Sequence, residues 1–447
     1  WGLIENYHKA LISNRLDSDS TFVDLLKIIM ATKSSMTLSQ IIEHVEQTSG
    51  IHSEANWCQS LLKTDTKKFS CNHLPKIPTS DSLKNLRVTY IESFGQITIH
   101  SKIFNNNPFP IVPFRILGLS KIWNTYKYYY PYRELFSNNK KCNNLLIKYI
   151  SALRNCKDFE EYHLLILQFT SEFRDSHSTA TSQIINKHFG NKTIPAQVCY
   201  LNKGICVTSD YSLSSFANSK LELGDLILKV ETKPVKDIFE NLKKYVSYSN
   251  SVALHRDLAR LALMTDKDSM KLLIKRKNKI VSIIVPTSEP DKLRAQERYE
   301  KKKSSLRYLN DSTMYINCKF VDTSDLRNAL KQNRKRMWFV FDLRGPSNWI
   351  KPVIEDYFFP EKRTFANYYR PLTSLPGTFS NPKPLTIGPS KPTSLLKNPK
   401  VIILVNENTQ SQGEFQTMFL QAIPSAITVG SSTAGADGNT SRFTIPG

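Results

Sequence analysis

The chain has 447 residues, 40% of them hydrophobic, enough for about two to four domains with cores of their own. No run approaches the roughly 18 uninterrupted apolar residues of a membrane-spanning helix, so none is expected. Lys and Arg outnumber Asp and Glu by 61 to 39, a net charge of +22. The basic residues are dispersed, however. Their densest clusters, Lys275–Lys279, Glu300–Ser305 and Asn333–Trp338, are short and fall at strand edges or linkers. They read as solvated surface, and no nucleic-acid partner is expected.

Seven cysteines (58, 71, 142, 156, 199, 206 and 318) are scattered, with no Cys-x-x-Cys pair. No metal site follows from them, and free thiols are the default reading. Cys199 and Cys206 flank a hairpin and could face each other across it. No nucleotide motif is present, so no cofactor is expected. The chain opens at Trp1 and stops at Gly447 in what reads as mid-domain sequence, which leaves room for a removed export signal.

In chain order, residues 1–111 mix helical stretches ("DSTFVDLLKIIMA") with short alternating ones ("GQITIHSKIF"), without assignable chemistry. A helical region over 112–186 opens on "FRILGLSKIWNTYKYYYPYRELF", where Pro131 ends the first helix. Its Tyr126, Tyr129 and Tyr130 read as packing. The region ends in a polar knot, Asp175-Ser176-His177-Ser178. A strand-rich module over 190–288 follows, interrupted by two helices. A charged linker, "SEPDKLRAQERYEKKKSS", leads out of it. From residue 303 onward, buried strands alternate with helices, which argues for an α/β sheet covered on both faces. A Pro-rich excursion around 367–394 reads as a loop and rim.

The chemistry concentrates in three turns. Ser411 lies between the buried strand "KVIILV" and a helix beginning near Gly413. There it is either a helix N-cap or a nucleophile. As a nucleophile, it would have its oxyanion held by the N–H of Gln412 at the helix start. His177, in its polar knot, is either a hydrogen-bonded loop histidine or a general base. The strand "MWFVFDLRG" ends in a turn where Asp342 and Arg344 could anchor the backbone. The N–H of Gly345 or of Ser347 would be a second oxyanion donor; Pro346 has none to offer.

Together and in this order, these segments resemble the tail-specific (carboxy-terminal processing) serine proteases. The resemblance rests on Asp175, His177 and Ser178, on the "GD-x-I" turn at Gly224 and Asp225, on Asp342 to Arg344, and on Asn406, Thr409, Ser411 and Glu414. It covers roughly residues 112–447. It implies a multidomain α/β protein: an N-terminal mixed domain, a helical region, a PDZ-like β-rich domain and a ClpP/crotonase-like peptidase core. It implies a peptide or protein substrate, extracytoplasmic placement, and membrane association only through a lipid anchor outside this sequence. Details such as "YYYPY" and "TAGADGN" are similar to secreted or lipoprotein-type members of Bacteroidetes. Ala436 stands where the family's lysine base is expected. Ser176-His177 instead resembles the tricorn-like branch, whose base is histidine. Asp175 and Glu414 are then supporting residues, and the orienting carboxylate would lie beyond Gly447. A catalytically inactive member of the same fold that binds peptides or another ligand is the alternative.

Overall fold

The computed structural model describes residues 88–91, 96–99, 108–132, 139–201, 204–211, 216–332, 337–372, 377–389 and 396–447. The helix expected in "DSTFVDLLKIIMA", Cys58 and Cys71, and Asn333 to Arg336 of the third basic cluster lie outside these residues. The chain divides into two compact units. One holds residues 1–166, 369–381 and 439–447, and the other holds residues 167–368 and 382–438.

In the first unit, β1 (Val88–Ile91) and β2 (Gln96–Ile99) form an antiparallel pair. α1 (Val112–Tyr129) ends just before Pro131, and Tyr130 turns to an extended conformation. α1 packs on α2 (Asn139–Asn155). Buried Arg115 pins the start of α1, donating from Nε to the Pro110 carbonyl (2.6 Å) and from Nη1 to that of Leu153 (3.0 Å). The Tyr126 and Tyr130 rings meet edge to face at 5.4 Å, which is packing geometry.

α3 (Phe159–Ser171) leads to the Asp175–Ser178 knot and to α4 (Gln183–Phe189), which Ser182 caps. An antiparallel sheet follows: β3 (Ala196–Leu201), β4 (Gly204–Asp210), β5 (Leu226–Val230), β6 (Lys233–Pro234), β7 (Ser269–Arg276) and β8 (Lys279–Pro286), with the main path β3-β4-β5-β7-β8. α5 (Val235–Leu242) and α6 (Ser251–Ala262) interrupt it after β6. Ile205, Ile227, Leu258, Leu272 and Ile274 fill its core. Cys199 and Cys206 stand opposite each other on β3 and β4, both as free thiols.

The charged stretch expected as a linker is instead a helix, α7 (Pro290–Lys302). Proline at its first turn suits a helix start. Ion pairs within the first turn support it, Lys292 with Glu289 and Arg294 with Asp291. Its inner face carries Leu293 and Glu297, both nearly inaccessible. The Glu297 carboxylate is matched by Lys319 Nζ at 2.6 Å and by the Gln197 amide.

The second sheet comprises β9 (Leu306–Asn310), β10 (Thr313–Asn317), β11 (Trp338–Asp342), β14 (Lys400–Val405) and β15 (Ala426–Gly430). Its order is β15-β14-β11-β10-β9, with all neighbours parallel except β9. α8 (Thr323–Gln332) connects β10 to β11, and α9 (Lys351–Phe358) follows β11. β12 (Arg363–Tyr368) and β13 (Lys383–Ile387) form an antiparallel ribbon, so parts of the expected Pro-rich loop are strand. α10 (Gln412–Gln421) joins β14 to β15. Phe339, Phe341, Val401 and Ile403, paired in register at alternate positions, are fully buried on one face of the sheet. Ile402 and Leu404 on the opposite face are half-buried, so β14 is not covered equally on both faces, contrary to expectation. The turns after β11 and β14 open at the carboxyl edge of the sheet, where ligands of α/β folds sit.

Candidate active site

Residues 406–411 form a tight turn after β14. The Asn406 carboxamide oxygen accepts from the Asn408 N–H (3.0 Å), and the Thr409 N–H donates to the Asn406 carbonyl (2.9 Å). Thr409, fully buried, donates its hydroxyl to the Leu343 carbonyl (2.7 Å), tying this turn to the one after β11. Ser411 occupies the N-cap position of α10 with φ 54° and ψ −118°. An L-residue other than glycine rarely adopts this conformation, and holding it costs on the order of 1–3 kcal/mol. Such strain gathers where a side chain must be presented outward at a strand-to-helix turn.

The N–H groups around Ser411 are unequal. That of Ser411 itself is shared between the Ala436 carbonyl (3.0 Å) and Glu414 Oε2 (3.1 Å). That of Gly413 donates to Gln410 (3.0 Å). Among the described residues, the Gln412 N–H has no acceptor. It points from the first turn of a helix, where orphan donors carry partial positive charge.

Across the turn lie Leu343 to Asn348. The Gly345 N–H is engaged by the Leu343 carbonyl (2.8 Å), whereas that of Ser347 has no acceptor among the described residues. Gly413 is hemmed in by this segment. A Cβ there would sit 3.7 Å from the Gly345 carbonyl oxygen and 3.9 Å from Ser347 Oγ. Gln416, fully buried on α10, clamps the same segment. Its amide donates to Ser347 Oγ (2.6 Å) and to the Asn348 carbonyl (3.0 Å), and its oxygen accepts from the Ile350 N–H (2.9 Å). Asp342 and Arg344 serve the backbone: Arg344 reaches Asp342 through Nε (2.9 Å), Nη2 (2.8 Å) and its own N–H (3.0 Å). Burial tends to raise the Asp342 carboxyl, but the hydrogen bonds from Arg344 and Tyr315 outweigh it and hold it below the ordinary range.

The knot is equally built. Asp175 Oδ1 accepts from the His177 N–H (2.9 Å) and lies 3.8 Å from His177 Nδ1. The Ser178 hydroxyl donates to Thr170 (2.7 Å). Ser176 exchanges hydrogen bonds with Ser249, and its hydroxyl reaches the Ala434 carbonyl at 3.5 Å. The Gln410 amide donates to the Ser176 carbonyl at 3.4 Å. The residues adjoining His177 and Ser411 thus touch, although 234 positions separate them. Among the described residues, no hydrogen bond joins the imidazole to the Ser411 hydroxyl. Such bonds are often long in unliganded enzymes and tighten on substrate.

The "TAGADG" turn completes the constellation. Glu414, nearly inaccessible, receives Thr433 Oγ1 (2.6 Å) and the Gly435 N–H (2.7 Å) on one oxygen. The other oxygen receives the N–H groups of Ala436 (2.9 Å) and Ser411 (3.1 Å). Its work is to hold two turns together. Next to Ala436, Asp437 is exposed at the surface, yet crowding by the surrounding chain, with a contribution from the Glu414 charge, pushes its carboxyl up to about 6.

α6 adds a third contact. Its cap Asn250 donates to the Thr433 carbonyl (2.9 Å), Arg256 Nη1 to that of Glu407 (2.8 Å), and Arg260 Nη2 to Asn408 Oδ1 (2.8 Å). Sequence reasoning had no hold on Gln416, Asp437 or Arg256. Each acts through partners distant in the chain.

No family model matches the sequence, and no curated protein matches it. Solved structures do. The chain is 14% identical to mature CPAF complexed with lactacystin, covering 73% of this chain and 85% of that one with a TM-score of 0.50. A serine-to-alanine mutant of CPAF gives 12% identity, 73% and 84% coverage, and a TM-score of 0.51. The photosystem II D1 C-terminal processing protease gives 12% identity, 72% and 82% coverage, and 0.40. At these identities the likeness is one of fold, and it rests on the two CPAF structures. The chain has a mixed α/β fold similar to that of CPAF.

Proposed function

We propose that the chain is a serine endopeptidase cleaving peptides or protein tails. Ser411 Oγ attacks the scissile carbonyl carbon. Its proton passes to His177, the tetrahedral oxyanion collapses to an acyl-enzyme, and the proton goes to the leaving amine. Water then attacks the acyl carbon by the same route and frees Ser411. The Gln412 and Ser347 N–H groups hold the oxyanion. The Gly345 N–H, engaged by Leu343, does so only after breaking that bond. Ser176 and Asp175 steady the base, and Glu414 steadies the nucleophile turn. In this reading residues 190–288 are a PDZ-like module, residues 303–447 a ClpP/crotonase-like core, and the protein works outside the cytoplasm.

The observation that carries the proposal is the conformation of Ser411: a left-handed serine at a helix start, beside an amide that has no acceptor among the described residues. A plain N-cap does not need the positive φ, whereas an orphan amide and the capping box with Glu414 are ordinary at a helix start, so the weight falls on the Ser411 backbone. The test is labelling by a serine-reactive fluorophosphonate, located by mass spectrometry. Wild type should form an adduct at Ser411, and Ser411→Ala none. His177→Ala should slow labelling by about 100-fold or more. An unlabelled wild type beside an active control protease would refute the proposal.

Two observations favour a second reading. Ala436 supplies no base, and among the described residues no hydrogen bond joins the imidazole to Ser411. In that reading the chain binds peptides without cleaving them, and His177→Ala leaves its behaviour unchanged.

A further inference from the structure

Three aromatic rings stand beside the Ser411 turn without a role in the proposed chemistry. Phe415 is in the first turn of α10, its N–H donating to the Ser411 carbonyl at 2.9 Å. Trp349 follows Ser347 by two residues and is 42% exposed. Phe365 comes from β12 and is half-buried, like Phe415. The Trp349 and Phe415 rings stack at 5.8 Å, and Phe365 meets Phe415 edge-on at 5.2 Å. All three rest on Phe419, which is fully buried and 6.1–6.3 Å from Trp349 and Phe365. A ring as large as that of Trp349, left open to water on an apolar floor, has unspent transfer free energy. Trp349 is two residues beyond Ser347, whose amide has no acceptor among the described residues.

We propose that Trp349, Phe365 and Phe415 form the subsite for an apolar substrate side chain adjoining the scissile bond. This rests on the serine peptidase reading. It commits the substrate class to peptides with an aliphatic or aromatic residue there, and it makes Trp349 a specificity-determining residue. A purely architectural cluster would instead pin the β12–β13 ribbon to α10 and leave selectivity untouched.

The experiment digests a random peptide library with the full chain and reads cleavage positions by mass spectrometry, with fluorophosphonate labelling in parallel. Wild type should be enriched for apolar residues next to the cut. Trp349→Ala should reduce that enrichment by about tenfold. Its labelling rate at Ser411 should stay within about twofold, because the probe carries no peptide side chain. Trp349→Arg should shift preference toward acidic residues. Labelled wild type without an apolar preference, or variants with unaltered preference, would overturn the subsite alone. Unlabelled wild type would overturn the peptidase reading and the subsite with it.

Discussion

Asp437 lies within reach of the Glu414 charge beside the Ser411 turn, and among the described residues Glu414 alone of the two has its oxygens filled by donors. In the folded chain the Asp437 carboxyl titrates at about 6, against roughly 3.9 when unfolded. The folded state therefore binds this proton more tightly. The contribution is favourable and fully present below the unfolded value, and it is lost as pH rises through about 6. At neutral pH the ionised Asp437 opposes folding. Asp437→Asn should raise the melting temperature at pH 7.5, and the gain should vanish as pH is lowered toward 4. Melting curves from pH 4 to 8 would decide it; an equal offset at every pH would mean that the carboxyl is not the cause. If the same proton gates catalysis, the variant also loses the acid limb of a pH–rate profile near 6.

At the scale of elements, β15 ends where a side chain cannot fit. Gly430 has φ +138°, and a Cβ there would lie 1.9 Å from the Val405 carbonyl oxygen, on the last residue of β14. Gly430→Ala must push apart the strand that delivers the Ser411 turn. It should cost at least about 2 kcal/mol of stability. Urea denaturation would show the loss, and an unchanged midpoint would count against the strand packing described. The parallel strands themselves were legible in sequence as the apolar runs Phe339–Phe341 and Val401–Val405, though equal cover on both faces was not: β14 alternates buried with half-buried positions and Trp338 is exposed. The Ser411 turn, the His177 knot and the Asp342 turn were legible as polar interruptions of that pattern. α7 was not. Its buried face consists of Leu293 and one carboxylate, Glu297, whose partners Gln197 and Lys319 lie 100 and 22 residues away. Local periodicity cannot register a helix held by remote charges. Nor could it show which turn amides are already taken: Gly345 and Ser347 look equivalent in sequence, and only the Leu343 carbonyl separates them.

Within the unit formed by residues 167–368 and 382–438, α6 links the antiparallel sheet to the chemistry of the parallel one. Its His255 ring stacks on Tyr200 of β3 at 4.5 Å, while Arg256, buried and doubly bonded to Asp257, donates to the Glu407 carbonyl. Glu407 lies four residues before Ser411, in the turn that sets its strained conformation. A change at β3 thus has a physical route to the nucleophile through one helix and one guanidinium. Arg256→Lys keeps the charge but loses the planar fork that serves Asp257 and Glu407 together. The variant should fold, with a melting temperature within a few degrees of wild type. The rate of fluorophosphonate labelling at Ser411 should fall by about tenfold, the equivalent of ~1.4 kcal/mol in positioning. Peptide cleavage should fall in kcat more than it rises in KM, since binding groups are untouched. Equal labelling rates in variant and wild type would show that the Asn406–Ser411 turn keeps its shape unaided, leaving α6 only a packing element between the two sheets.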